Sequence, residues 1–253
     1  MIIIVLPAYN EAAPIGGLLE SFIEAFRDER LVWRVILVND GSTDDTEKTA
    51  RGFRDRMNLE IVTHPVNRGL AESLKTGLLH AVRAAGDRDI IITMDSDGSH
   101  LPGLIFRMAR LIKEGNDVII ASRYQNGSRV VGVTPFRRML SRGAAILCRI
   151  IFPMPGVRDY TCGYRAYRAS LLKKAFADYG EEIISEPGFS CMVDLLLKVR
   201  KYLPIITEVP LILRYDLKTS PSKMDVGKTV KQTLWLLVRR RLGFKTRNKT
   251  HGV

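Results

Sequence analysis

The sequence predicts an α/β protein: a mostly parallel sheet with helices on both faces. Three observations carry this. Short apolar runs rich in β-branched residues alternate five times with segments of helical periodicity between residues 2 and 121. The links between them are short, as in successive strand–helix–strand units. Polar clusters at 7–11, 39–45, 95–99 and 122–123 close four of the runs. That is the end of such a sheet where ligands bind.

Residues 2–6 (IIIVL) form the first strand, an unbroken apolar run of the kind covered on both faces. Ile15, Leu18, Leu19, Phe22, Ile23 and Phe26 line one face of a helix over 14–27. WRVILV (33–38) is the second strand, and Thr43 or Asp44 caps a helix over 45–57. A third strand spans 59–63, an Ala-rich helix 70–85, and a fourth strand 89–94. A helix over 102–114 carries Pro102 near its first turn, and 117–121 is the fifth strand. Beyond 123 the alternation loosens. An amphipathic helix is expected over 136–152, a loop and short strand over 158–168, a helix over 188–202 and a strand over 205–213. Residues 225–242 have helical spacing and end in three arginines, and 243–253 read as disordered. The domain expected is 1–224, a ligand-binding half at 1–123 and an acceptor half at 124–224, followed by a basic amphipathic tail at 225–253.

The chain has 253 residues, with 39 Lys and Arg against 27 Asp and Glu. Residues 1–100 carry 11 basic and 16 acidic residues, while the remainder carries 28 and 11. A basic second half points to a polyanionic partner: nucleic acid, anionic lipid or a phosphorylated substrate. Cys148, Cys162 and Cys191 are odd in number and lack CxxC spacing, so neither a disulfide framework nor a zinc site is expected and a reducing cytosol fits. No apolar run approaches a membrane span, and the N-terminal run lacks the basic flank of a signal peptide. No GxGxxG follows the first strand, which disfavours a dinucleotide-dependent oxidoreductase.

Asp95-Ser96-Asp97 is the most informative triplet. Two carboxylates at i and i+2 in a loop converge on a hard divalent cation that keeps waters and holds substrate phosphates, or they form a plain polar turn. Asp40, after the second strand, accepts hydrogen bonds from a nucleoside or belongs to an Asp-Gly turn. Between 123 and 149 there are six arginines and no acid, interleaved with apolar residues. Arginine suits phosphate through its bidentate fork. Lys228 to Lys249 holds eight basic residues and no acid around TLWLLV. That composition fits an interfacial helix on anionic lipid, or a tail helix docked on its own domain by Leu234, Leu237 and Val238.

Taken together, LPAYNE (6–11), VNDGSTDDT (38–46), NRGLAESLKTG (67–77), MDSDGSHLP (94–102), ASRY (121–124), RRMLSRGA (137–144), DYTCGYRAYR (159–168) and SKM (222–224) resemble the family 2 glycosyltransferases of GT-A fold. Within these, the chain looks like the polyprenyl- or dolichyl-phosphate mannose synthases. The resemblance covers about 1–224. It implies an inverting hexosyltransferase that takes a nucleotide sugar, uses Mg²⁺ or Mn²⁺ and serves a polyprenyl or dolichyl phosphate. Pro7, Tyr9, Asn10 and Glu11 look like the first nucleotide-contact loop, with Val38 and Asp40 at the nucleoside. Asp95 and Asp97 look like the metal-binding pair, with Ser96 on the donor between them. Arg123 looks like the arginine facing both phosphates. Arg137, Arg138 and Ser141 look like the holders of the lipid phosphate, and Lys223 like the lysine that closes over the diphosphate.

Two positions depart from the pattern. Ser99 stands where these enzymes often carry glutamine as a third metal ligand, which leaves coordination weaker or completed by water. Leu217 stands where the late motif has arginine, with Arg214 and Lys218 as the alternatives for its place. Mannose from GDP-mannose is the first expectation, with glucose or another sugar from a UDP-sugar the second. A sugar-hydroxyl acceptor is a rival within the same fold. A non-enzymatic polyanion or nucleic-acid binder is the rival of a different class, but no nucleic-acid-binding module is present and nucleic acid is not expected as a partner. The implied location is cytoplasmic, peripheral to an anionic membrane surface. Oligomeric state is not legible.

Overall fold

A computed structural model describes residues 1–218 and 226–241, apart from the side chains of residues 137, 226 and 228–231. Lys223 and residues 242–253 lie outside the described residues. The elements follow one another as β1 (Ile2–Ala8), α1 (Ala12–Phe26), β2 (Trp33–Asn39), α2 (Thr46–Arg51), β3 (Leu59–Thr63), α3 (Leu70–Ala84), β4 (Ile90–Thr93), α4 (Leu104–Lys113) and β5 (Val118–Ser122). Then come β6 (Arg129–Val131), α5 (Pro135–Ile151), β7 (Arg165–Arg168), α6 (Ala169–Tyr179), α7 (Cys191–Val199), β8 (Ile206–Pro210), β9 (Ile212–Arg214) and α8 (Val226–Arg241).

Among the described residues, seven strands form one sheet in the order β3-β2-β1-β4-β7-β5-β8. Every neighbouring pair is parallel except those made by β7, which runs antiparallel to both β4 and β5. The order reverses at β1, so right-handed crossovers place α1 and α2 on one face and α3 on the other. Ile2 to Leu6 are accordingly at most 2% exposed. β6 and β9 form a separate two-stranded parallel pair.

Several elements differ from expectation. The helix expected over 45–57 ends at Arg51, and 52–57 continue in tight turns with bonds from Phe53 N to Ala50 O and Arg56 N to Phe53 O. The strand expected over 205–213 divides at Leu211, whose N–H bonds to Ser122 O; β8 lies in the main sheet and β9 beside β6. The helix over 188–202 is α7 flanked by 3-10 turns at 188–190 and 200–202. α6, in ASLLKKAFADY, had no expected counterpart.

α3 crosses the sheet so closely that a Cβ added at Gly77 would lie 2.4 Å from Val5 Cγ1 and 3.0 Å from Val38 Cγ2. Gly77→Ala therefore overpacks the seam, and the expected loss is about 1–3 kcal/mol. Urea unfolding should show a lower midpoint at unchanged slope.

Candidate active site

The carboxyl ends of β1, β2, β4 and β5 open into a cavity of about 750 Å³, within the range of small-molecule sites. Pro7, Tyr9 and Glu11 enter it from β1, and Asp40 from β2. Asp95, Ser96, Asp97 and Ser99 follow β4, and Arg123 follows β5. Arg138, Ser141 and Arg142 come from α5, Lys218 from the segment after β9, and Gln232 and Thr233 from α8.

Asp40 is built into its place. Its Oδ1 accepts from Arg68 N at 2.9 Å and lies 2.7 Å from His64 Nδ1, and its Oδ2 accepts from Gly69 N at 2.8 Å. His64 in turn lies 3.0 Å from Thr76 Oγ1. The carboxylate thus fixes the start of α3 while facing the cavity. Gly41 makes this approach possible: at φ +65° a Cβ there would sit 2.4 Å from Val66 C.

The loop after β4 is tied to its neighbours. Ser96 Oγ donates to Pro7 O at 2.7 Å, and Ser99 donates to Asp97 Oδ1 through Oγ at 2.6 Å and N at 3.1 Å. Lys218 Nζ donates to Asp97 Oδ2 at 2.6 Å. Burial pushes the Asp97 carboxyl up, but the bonds from Lys218 and Ser99 prevail and hold it below its ordinary value. Asp95 goes the other way: burial raises it, and the neighbouring Asp97 charge adds to the rise against His100 and Lys218. His100 is itself buried, stacked on Tyr164 at 4.9 Å with its Nδ1 accepting from Asp95 N at 3.3 Å.

This donor set fits a hard divalent cation. It offers two carboxylates and a hydroxyl, and one carboxylate is short of positive charge. Among the described residues no cluster of three His, Cys, Asp or Glu forms a closed metal cage. An open set of oxygen donors is what Mg²⁺ or Mn²⁺ takes when water and phosphates complete the shell.

Opposite stands a cationic wall. Arg123 donates to Asp159 through Nε at 2.8 Å and Nη2 at 2.7 Å, and through Nη2 to Thr161 Oγ1 at 2.5 Å. Glu208 Oε1 supports this by accepting from the N–H groups of Arg158 and Asp159, each at 2.6 Å. Burial pushes the Asp159 carboxyl up and the Arg123 charge overcomes it, so it lies below its ordinary value. These bonds engage Nε and Nη2. Arg138 Nη2 donates to Val130 O at 2.8 Å.

Three expected site residues are not brought into the cavity lining. Val38 is fully buried in β2 beside Pro7. Asn10, at φ +50°, uses its Oδ1 to accept from Thr43 N at 2.8 Å and so joins two loops beside the cavity. Arg214 turns to Asp216, at 3.0 Å from Nε and 2.8 Å from Nη2. Lys223 and the Arg137 side chain lie outside the described residues. Thr161 and Arg142 line the cavity although their motifs, DYTCGYRAYR and RRMLSRGA, single out neither, and Gln232 and Thr233 carry no motif signal of their own. His64 and His100 also support the site, and a histidine three residues before the Asn-Arg-Gly turn is a cue visible in the sequence.

Sheet and site together define a GT-A glycosyltransferase. The chain belongs to glycosyl transferase family 2, whose family model matches residues 3–176. It is 26% identical over 228 residues to dolichol-phosphate mannosyltransferase of Pyrococcus furiosus, covering 90% of this chain and 60% of the relative. The chain thus spans well under two thirds of that relative. It is 27% identical over 252 residues to undecaprenyl-phosphate mannosyltransferase of Micrococcus luteus, covering 97% of this chain and 98% of the relative. Among solved structures, glucosyl-3-phosphoglycerate synthase of Mycobacterium tuberculosis, in complex with Mn²⁺, UDP and glucosyl-3-phosphoglycerate, superposes with a TM-score of 0.68 at 22% identity. That match covers all of this chain and 83% of the other, and it speaks to the fold.

Asp159→Asn leaves the Arg123 guanidinium, 20% exposed, without its countercharge. The expected loss is about 3–5 kcal/mol near neutral pH. Because the folded carboxyl is depressed, its stabilisation is complete above the unfolded value of about 3.9 and declines as pH falls through the folded value. Thermal melts from pH 7 to 3 should therefore show the gap between wild type and variant narrowing on acidification.

Proposed function

We propose that this chain transfers a hexose, mannose from GDP-mannose by preference, to a polyprenyl or dolichyl phosphate at the membrane surface. One observation carries the reading. The acids lining the cavity, Glu11, Asp40, Asp95 and Asp97, come from the ends of β1, β2 and β4, while the α5 side contributes Arg138 and Arg142 beside Arg123. Among the described residues lining that side, an acceptor meets arginines and no carboxylate base. A phosphate acceptor is already an anion and needs none, whereas a sugar hydroxyl does.

In this reading Tyr9, Glu11 and Asp40 receive the nucleoside and Ser96 meets the donor. Asp95 and Asp97, with Ser99 as a weaker partner, hold Mg²⁺ or Mn²⁺. The bound cation neutralises charge that builds on the departing diphosphate. Lys218 adds positive charge beside Asp97, and Lys223, outside the described residues, is proposed from its motif alone to act on the diphosphate; Arg214, paired with Asp216, is the weaker candidate for the missing late-motif arginine. Arg123, Arg137, Arg138 and Ser141 orient the acceptor phosphate for attack on the anomeric carbon from the face opposite the leaving group. A single displacement inverts that carbon.

The acceptor wall leads onto a surface suited to lipid. On α5, Phe136, Met139, Ile146 and Ile150 are 59–71% exposed and share one face by their spacing. On α8, Leu236 and Leu237 are buried while Trp235 is 64% exposed. The tail helix therefore docks on the domain and still presents apolar surface among arginines, a composition that favours anionic interfaces. Among the described residues no helix is long and apolar enough to cross a membrane. On this reading 1–218 with α8 act as one transferase unit.

A panel of radiolabelled GDP-mannose, UDP-glucose and other UDP-sugars with a polyprenyl phosphate tests the reading. Label from one donor should enter the organic phase in a metal-dependent manner, and Asp97→Asn should cut transfer by about 10²–10³-fold. Transfer only to a sugar hydroxyl, or salt-sensitive duplex binding without transfer, overturns it. Vesicle flotation tests the surface separately: Met139→Glu with Ile146→Glu should weaken binding to anionic vesicles at least about tenfold, and equal binding to neutral vesicles would refute electrostatic attachment.

A further inference from the structure

Lys218 occupies a carboxylate that the proposed reaction assigns to a metal. Its Nζ lies 2.6 Å from Asp97 Oδ2, with the two side chains only 10% and 9% exposed. Ser99 holds the other oxygen. Both oxygens of Asp97 therefore already accept hydrogen bonds from the chain itself. A divalent cation that takes Oδ2 meets an ammonium 2.6 Å from the same oxygen, and like charge at that range disfavours both staying there.

Lysine is suited to such an exchange, because its ammonium is a compact charge on a flexible stem. The segment that delivers it is braced against the very loop it neutralises. Arg214 N donates to Ser99 O at 3.0 Å, and His100 bridges to Leu213. A tight turn over Tyr215–Leu217 then carries the chain to Lys218, whose Nζ lies 5.4 Å from the Tyr215 ring centre. With its backbone anchored there, a rotation of the stem moves the ammonium from Asp97 into the cavity, where a diphosphate would lie. Arg214, committed to Asp216, does not compete for the place.

We infer that Lys218 is a tethered cation that keeps the metal's place on Asp97 until the donor arrives. Metal and nucleoside diphosphate then bind as a coupled pair: the metal takes the carboxylate, and the displaced ammonium takes charge on the diphosphate. Metal alone has no such compensation, since it must strand the ammonium beside another cation. The inference rests on the reading of Asp95 and Asp97 as metal ligands.

The test measures Mn²⁺ binding to the full chain by electron paramagnetic resonance, alone and with GDP or UDP. It compares wild type with Lys218→Gln, Lys218→Met and Lys218→Arg, each checked for folding by circular dichroism. The two neutral variants should bind Mn²⁺ alone about tenfold more tightly than wild type. Nucleoside diphosphate should strengthen Mn²⁺ binding less in them than in wild type, and Lys218→Arg, which keeps the charge, should stay closer to wild type than either neutral variant. Neutral variants that bind Mn²⁺ no more tightly, with unchanged coupling to the nucleotide, overturn the inference and leave the metal reading standing. If no protein binds Mn²⁺ with either nucleotide, the metal reading falls and the inference falls with it.

Discussion

Negative charge gathered where water is scarce has to be answered, and the answers organise this molecule. Parallel strands deliver Asp40 and the Asp95/Asp97 pair to one end of the sheet, and burial there penalises each carboxylate. Asp40 is answered by backbone N–H groups at the start of α3 and by His64. Asp97 is answered by Lys218 and Ser99, and Asp159, deeper in, by Arg123. Asp95 is answered least, which is why burial leaves it raised. The unevenness sets Asp95 apart from the carboxylates matched within the protein.

The same economy shapes the far side of the cavity. α8 is fixed by ionic contacts with buried groups: Arg240 reaches Asp194 at 2.7 Å and Arg239 reaches Glu186. Asp194 also bonds Lys198 and the Ser185 backbone. A basic helix that by composition resembles a loose tail is thereby made part of the wall, placing Gln232 and Thr233 at the cavity. Arg241 and Trp235 stay outward, so one helix contributes to both the cavity wall and the surface.

Much of this was legible in the sequence because the governing patterns are local. The continuous apolar runs of β1, β2 and β5 announce strands covered on both faces, and their polar ends fall together by topology alone. The Asp95–Asp97 pair and the Asn-Arg-Gly turn are short-range signals. What was illegible depends on partners distant in the chain. Nothing near Lys218 says that it meets Asp97, 121 residues away, and nothing near Arg123 says that Asp159 will hold it. Val38 and Arg214 illustrate the converse: each lies in or near a family-like motif, yet packing under Gly77 and a neighbouring aspartate claim them. α6 was overlooked because its periodicity follows directly on a strand, with no turn signal to separate them.

The insertion of β7 between β4 and β5 has a bearing on how the chain is made. During synthesis β1 to β5 emerge in order, yet β4 and β5 share no ladder until residues 165–168 arrive to join them. The nascent amino-terminal half carries a bare strand edge while dozens of further residues leave the ribosome, a state open to wrong pairing.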